Sequence, residues 1–196
     1  AIFRFSNCTT PDIYTIINSK GKTVRTLEDN AELATRFEQM QLPTKEFFQF
    51  TTDEGITLNG WIVKPRNAAD ATPQPLVMLQ YSGPDSQEAR NRWSLDWEYY
   101  LAQKGFVAAC VDGRGTGARG RDFRTCTYKN LGAIETQDQL AAVRYLGNLD
   151  YIDANRIAIW GWSYGGFMTL NCLTHGNGTF KAGIAIAPVT DWRYYD

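Results

Sequence analysis

Residues 156–170 read RIAIWGWSYGGFMTL, and this stretch decides the fold class. An apolar, β-prone run at 157–160 leads into a glycine-rich turn at 161–166, and an apolar, helix-compatible run follows at once. The predicted order is therefore strand, sharp turn and helix, with Ser163 at the turn. In that context the G-x-S-x-G pattern is the nucleophile elbow of an α/β-hydrolase, so Ser163 is the predicted nucleophile.

Steric reasons explain why glycines flank Ser163. A strand that turns straight into a helix forces the residue between them into strained backbone, and side chains on either side of that residue would collide. The Ser163 hydroxyl would then lie beside the helix amino terminus, where free N–H groups and the helix dipole favour a developing oxyanion. The alternative is a glycine-rich turn with an inert serine, which the flanking strand and helix disfavour.

Composition is that of an ordinary globular protein. The 196 residues include 43% hydrophobic and 21% charged residues, enough for one domain with a sizeable core. A net charge of −1 gives no sign of nucleic acid or of an anionic membrane as a partner. The four cysteines are widely spaced without a C-x-x-C pair, so no metal site or disulfide scaffold is expected. The first ten residues, AIFRFSNCTT, lack the features of a signal peptide, and we expect the chain to begin inside a larger protein.

Two regions differ in their periodicity. Residues 1–29 alternate like strands, with a hairpin at 13–18 and 23–27, and are predicted to be the end of a β domain, since one hairpin cannot bury a core alone. A capping box at Asp29 and Glu32 predicts a helix over 31–40.

From residue 30 on, strands and helices alternate. Strands are predicted at 47–52, 58–65, 76–81, 106–112, 157–160 and 182–187, helices at 93–104, 134–149 and 164–173, and loops at 66–75 and 113–131. The fold class is α/β, with a mostly parallel sheet covered by helices on both faces.

A serine hydrolase also needs a base oriented by an acid, and in α/β-hydrolases both follow the nucleophile in the chain. The only histidine is His175, which a helix would carry about 18 Å from Ser163. We therefore expect His175 to be a surface residue in a turn. Asp191 is a candidate for the catalytic acid, but an aspartate that follows a strand is more often a solvated loop residue. The triad is therefore expected to be incomplete within these residues.

Other residues could complete the site. Tyr81 ends a predicted buried strand, where an α/β-hydrolase places its second oxyanion donor, although a core aromatic fits the position equally well. Val189, Trp192, Tyr194 and Tyr195 follow the last strand and could line a flat apolar pocket, or equally serve core packing. The G-x-G-x-x-G match at 115–120 is not expected to be a dinucleotide site, because Gly113 and Arg114 separate it from the strand and no apolar-striped helix is predicted after it.

Together these motifs resemble the prolyl oligopeptidase family of serine peptidases, and its dipeptidyl peptidase branch in particular. The matching stretches are YSGP at 81–84, DGRGTG at 112–117, LGAIETQDQ at 131–139, GWSYGG at 161–166 and APVTDWRYYD at 187–196. LEDN at 27–30, a helix and QLP at 41–43 are similar to that branch's passage from a β-propeller into the hydrolase domain.

The resemblance implies a domain plan. Residues 1–29 would end a propeller with its last hairpin, and 30–196 would be the amino-terminal part of the α/β-hydrolase domain. The family's catalytic Asp and His would lie beyond residue 196, and its amino-terminus-binding acids before residue 1. The isolated segment is therefore expected to be inactive.

The resemblance also implies the chemistry. Such enzymes release dipeptides from a free amino terminus after proline or alanine, through an acyl-enzyme that Ser163 would form, with no metal or cofactor. The Tyr81 hydroxyl and the Tyr164 N–H match the oxyanion hole, and Tyr164, Val189, Trp192 and Tyr195 match the proline pocket.

For the intact parent protein, the resemblance further implies peptides with a penultimate proline as substrates, a second copy of the chain in a homodimer, and a location outside the cytoplasm. The alternatives are an acylaminoacyl peptidase or esterase of the same fold, or a non-catalytic relative used for binding.

Overall fold

A computed structural model describes residues 1–66 and 72–195. The predicted loop at 66–75 lies partly outside these residues, as does position 196. The chain opens with a three-stranded antiparallel sheet, whose hairpin between the second and third strands is the predicted one. A helix follows over the predicted residues. These elements are β1 (Ile2–Asn7), β2 (Thr10–Ile17), β3 (Thr23–Glu28) and α1 (Ala31–Met40).

The second sheet has six strands in the order β4-β5-β7-β6-β8-β9. Strands β4 and β5 form a hairpin, and β5 runs antiparallel to β7. The remaining pairs are parallel, so the sheet is mixed but mostly parallel, as predicted. The strands are β4 (Lys45–Thr51), β5 (Thr57–Val63), β6 (Gln74–Leu79), β7 (Val107–Asp112), β8 (Ile152–Trp162) and β9 (Ala182–Ile186).

Helices cover both faces of this sheet. On one face Tyr99 and Ala102 of α2 pack against Trp61 and Cys110 of the sheet. On the other face, α4 and α5 cover the larger core. All six residues of β7 are buried, which explains its continuous apolar sequence, since a strand covered by helices on both faces has no solvent face. The helices are α2 (Trp97–Gln103), α3 (Arg121–Thr125), α4 (Ala133–Gly147) and α5 (Tyr164–His175).

The connections create a crevice between β6 and β8. The chain passes from β6 through α2 to β7 on one side, and then returns through α4 to β8 on the other side of β6. In open α/β sheets, ligands bind outside the carboxyl ends of the strands at such a switch point. Tyr81 follows β6 and Ser163 follows β8, so both lie at that edge.

Four local expectations were wrong. The strand predicted at 157–160 is longer and spans Ile152–Trp162. The helix predicted over 93–104 begins at Trp97, because the Asp96 side chain accepts the Trp97 N–H and caps it. The predicted loop at 113–131 contains α3. The capping box does not form, because Asn30 is the N-cap of α1 and Glu32 pairs with Arg36 instead. In the described ranges, no helix is long and apolar enough to cross a membrane.

Candidate active site

Ser163 lies at the sharp turn between β8 and α5. Its φ of 57° and ψ of −116° fall outside the regions that ordinary residues adopt, as the elbow predicts. The Ser163 N–H donates to the Ile186 carbonyl at 2.9 Å, which ties the turn to the end of β9. The Ser163 carbonyl accepts from Phe167 N–H and starts the helix. The strained residue is therefore held from both sides.

The glycines around Ser163 are required by backbone contacts. A Cβ at Gly161 would overlap the carbonyl of Gly165, so the two glycines that flank the serine face each other directly. A Cβ at Gly165 would lie 2.5 Å from the Gln80 carbonyl oxygen and 3.1 Å from Tyr81 Cα. The first turn of α5 thus packs backbone to backbone against the segment that carries Tyr81.

Tyr81 lies two residues beyond the end of β6, and its side chain is 36% exposed. The ring covers Gly83, where a side chain would collide with it. Its centroid lies 6.1 Å from the centroid of Tyr164. The two predicted oxyanion donors therefore belong to neighbouring residues at the same edge of the sheet.

Tyr164 is the first residue of α5 and is buried. As the first helical residue, its N–H has no acceptor within the helix. Its hydroxyl donates to Glu135 Oε1 at 2.6 Å. Burial, and then the hydrogen bond to Glu135, raise the pKa of Tyr164 above its usual value. The Tyr164 hydroxyl is therefore neutral and donates its hydrogen bond to Glu135. The backbone N–H and the ring of Tyr164 remain available for other contacts.

Glu135 and Gly132 form the support of Tyr164. The Glu135 side chain is 1% exposed, and its Oε2 accepts the Gly132 N–H at 3.0 Å. Gly132 has φ +88° and lies against the ring of Phe167. Sequence reasoning did not single out Glu135, because a glutamate in the first turn of a helix ordinarily indicates a solvated position.

Aromatic rings form a cluster beside the elbow. Trp192 lies 5.3 Å from Tyr164, 5.2 Å from Phe167 and 5.3 Å from Tyr195, measured between centroids. Val189 lies half-buried in the segment between β9 and Trp192. The structure therefore brings Tyr164, Trp192 and Tyr195 together.

Two aromatic residues differ from the sequence-based grouping. Tyr194 is 86% exposed and is therefore not packed into this cluster. Phe167 joins the cluster although sequence reasoning missed it; its spacing of three residues from Tyr164 on α5 could have revealed it.

His175 and Asp191 do not form a catalytic pair with Ser163. His175 is the last residue of α5 and is exposed, with Nδ1 2.9 Å from the Asn171 carbonyl at the same helix end. Asp191 caps the turn Trp192–Tyr194 and holds the Arg193 guanidinium with both carboxylate oxygens. The hydrogen bonds from Arg193 lower the pKa of Asp191. Both residues have local structural roles.

The glycine-rich loop at 113–120 is structural. Arg114 forms an ion pair with the buried Asp138 of α4 at 2.7 Å. Gly117 N–H donates to the Ser86 carbonyl at 2.7 Å, which attaches the loop to the segment after Tyr81. The helix that follows, α3, has five residues. Within 1–66 and 72–195, no cluster of three or more His, Cys, Asp or Glu side chains could hold a metal ion.

The comparison with protein families agrees with this geometry. The model of the prolyl oligopeptidase family matches residues 93–196, more than half of the sequence. The chain belongs to the prolyl oligopeptidase family. The matched range includes the elbow, α4 and the aromatic cluster, whereas Tyr81 precedes it.

Relatives of the prolyl oligopeptidase family extend the match over almost the whole chain. Dipeptidyl-aminopeptidase B of Aspergillus niger is 44% identical over 177 residues, which are 89% of this chain and 20% of that protein. Prolyl endopeptidase FAP of Bos taurus is 43% identical over 173 residues, 88% of this chain and 23% of that protein. The crystal structure of Porphyromonas gingivalis dipeptidyl peptidase 4 matches with a TM-score of 0.96 and 54% identity, covering 100% of this chain and 28% of the other.

These matches confirm the family and the α/β fold predicted from the sequence. The chain spans about a fifth of the length of the curated relatives it matches. The structure gives the positions of the predicted site residues, but their roles remain predictions. These residues are Ser163, Tyr81, Tyr164, Val189, Trp192 and Tyr195.

Proposed function

We propose that the full-length protein is a serine dipeptidyl peptidase that releases amino-terminal dipeptides after proline or alanine. The observation that carries the proposal is the elbow itself. Ser163 is held in strained backbone at the crevice between β6 and β8, with Tyr81 and Tyr164 beside it. Strained backbone held by its surroundings is typical of functional sites.

The proposed reaction is acyl transfer. Ser163 Oγ attacks the carbonyl carbon of the second residue of the substrate, and a base removes the hydroxyl proton. The carbonyl oxygen becomes an oxyanion, to which the Tyr81 hydroxyl and the Tyr164 N–H would donate. Collapse of the tetrahedral intermediate breaks the peptide bond, and the departing amine takes the proton from the base. Water then hydrolyses the acyl-enzyme and frees the dipeptide and Ser163.

The aromatic cluster suits a proline ring. The centroid of the Trp192 ring lies 5.3 Å from that of Tyr164 and 5.3 Å from that of Tyr195, so the three rings form one apolar surface. Proline is rigid and apolar, so an aromatic pocket holds it with little loss of conformational entropy. Val189 would complete this pocket.

The base and acid would come from elsewhere in the full-length protein. His175 is held at the far end of α5, so we propose that the catalytic Asp and His follow residue 196 in the chain. From the resemblance to the family we also propose that residues 1–29 end a β-propeller that supplies the amino-terminus-binding acids, and that 30–196 belong to the hydrolase domain. A homodimer and a location outside the cytoplasm are part of the same proposal.

A substrate panel on the full-length protein tests the proposal. We expect turnover of a glycyl-proline anilide, slower turnover of a glycyl-alanine anilide, and no turnover when the amino terminus is acetylated. Ser163→Ala should abolish all of it, with Ser19→Ala as the matched control, since Ser19 is exposed in the turn between β2 and β3. Preference for the acetylated substrate would favour an acylaminoacyl peptidase. Turnover of simple esters alone would favour an esterase, and no turnover at all would favour a non-catalytic relative.

A further inference from the structure

The two residues that flank Tyr81 are polar and buried. Gln80 is 4% exposed and Ser82 is 2% exposed, although they follow an apolar strand. Buried polar side chains are costly unless they are hydrogen-bonded, so their partners indicate what they hold in place. The exposed tyrosine thus stands between two anchored neighbours.

Gln80 attaches the Tyr81 segment to α5. Its Nε2 donates to the Gly165 carbonyl at 2.8 Å and to Thr169 Oγ1 at 3.2 Å. Gly165 is the residue whose missing side chain lets the helix touch the Tyr81 backbone. Gln80 therefore fixes the Tyr81 segment against the turn that presents Ser163 and the Tyr164 N–H.

Ser82 and Gln139 attach the same segment to α4 and β7. Ser82 Oγ donates to Gln80 Oε1 at 3.1 Å. Gln139 Nε2 donates to Ser82 Oγ at 3.0 Å and to the Val111 carbonyl at the end of β7 at 2.8 Å. The Gln139 side chain is 0% exposed. Three elements of the fold are thus joined at the base of Tyr81.

The direction of these hydrogen bonds is determined. Both N–H groups of Gln139, the hydroxyl of Ser82 and both N–H groups of Gln80 each donate within the network. Turning either amide would place an oxygen against another acceptor. Gln139 Oε1 is buried without a hydrogen-bond partner in the described part of the chain, whereas the donors of this network are all paired. Because the paired donors fix the orientation of both amides, the network favours one arrangement.

We propose that Gln80, Ser82 and Gln139 are positioning residues that set the distance from the Tyr81 hydroxyl to Ser163 and the Tyr164 N–H. This inference rests on the proposed function. None of the three touches the substrate in this account; they act through Tyr81. A displacement of about 1 Å at a reacting centre can cost about 100-fold in rate, so a partial loosening should be measurable.

A double-mutant cycle on the full-length protein separates positioning from stability. Gln80→Met keeps the side-chain length and removes all of its hydrogen bonds. We expect it to lower kcat on a glycyl-proline anilide by about tenfold with KM nearly unchanged, because an interaction used only in the transition state is weakened. Tyr81→Phe alone should lower kcat by about 100-fold or more, as the loss of an oxyanion donor does.

The decisive value is the effect of Gln80→Met when Tyr81 is already phenylalanine. If Gln80 acts through the Tyr81 hydroxyl, that effect should shrink to about twofold, since coupled residues are not additive. Gln137→Met on α4 is the matched control, because Gln137 is exposed two residues from Gln139, and it should leave kcat unchanged.

Each other result contradicts the inference. An equal loss in both backgrounds, or unchanged kcat in Gln80→Met, would overturn positioning while leaving the proposed function in place. If Gln80→Met does not fold, Ser82→Ala replaces it in the double-mutant cycle. The effect of Ser82→Ala on kcat must then also shrink when Tyr81 is phenylalanine. A wild-type protein without turnover would overturn the proposed function first, and this inference with it.

Discussion

Replacing Gly165 with alanine would separate the first turn of α5 from the segment that carries Tyr81. The added Cβ would lie 2.5 Å from the Gln80 carbonyl oxygen, whereas ordinary contact begins at 3.4 Å. The two backbones must therefore move apart by about 0.9 Å, the difference between these values. Both contacting groups are backbone, so no flexible side chain can absorb the displacement.

Two consequences follow from this displacement. Overpacking of this kind costs about 1–3 kcal/mol of stability. The Tyr81 hydroxyl would also move relative to Ser163, and a misplacement of about 1 Å is expected to cost about 100-fold in kcat. We therefore expect Gly165→Ala to lower kcat on a glycyl-proline anilide by about 100-fold at a temperature where the protein stays folded.

Gly147→Ala provides the matched control. A Cβ there would meet Ile157 Cδ1 at 3.5 Å and Ala154 Cβ at 3.7 Å, which are ordinary contacts. Gly147 ends α4, so this substitution should leave kcat unchanged and slightly raise stability, because alanine favours a helix over glycine by about 1 kcal/mol. Wild-type kcat in Gly165→Ala, or an equal loss in both variants, would refute the close packing of α5 on the Tyr81 segment.

Three further predictions concern stability and reactivity. Burial raises the pKa of Tyr99 to about 12, so between pH 10 and 12 the unfolded chain loses a proton that the folded chain keeps. Urea unfolding should show stability falling as pH rises through this window, and Tyr99→Phe should flatten that slope. The Lys45–Glu98 ion pair is buried at 2.7 Å, so Lys45→Met should cost about 3–5 kcal/mol in urea unfolding, and the double variant with Glu98→Leu should recover most of it. A thiol reagent should modify the exposed Cys126 in the native protein but the buried Cys110, whose pKa burial raises, only after denaturation.

The elbow could be predicted from the sequence because its determinants are local. Gly161 is needed by its contact with the Gly165 carbonyl within one strand–turn–helix unit, and such a unit is visible in a short stretch of residues. Gly165 could be recognised as part of that motif, although the Gln80 and Tyr81 backbone that it contacts lies far away in the chain. The alternation of apolar strands and helices likewise indicated the α/β class. Tyr81 joined the candidate site through its place after a buried strand.

The support of the site could not be predicted, because it depends on residues distant in the chain. Gln139 and Glu135 lie on α4, and polar residues on a helix ordinarily indicate a solvent-exposed face. Their burial follows only when α4 packs against α5 and the end of β6, which brings Glu135 to Tyr164 and Gln139 to Ser82. The hydrophobic pattern of α4 therefore indicated a helix but not which of its faces is buried.

The most direct test of the central claim is to treat the full-length protein with a fluorophosphonate probe and locate the modified residue by mass spectrometry. We expect a single adduct on Ser163, which is lost in Ser163→Ala together with turnover of a glycyl-proline anilide. Labelling of another residue, or turnover that persists in Ser163→Ala, would contradict the assignment of Ser163 as the nucleophile.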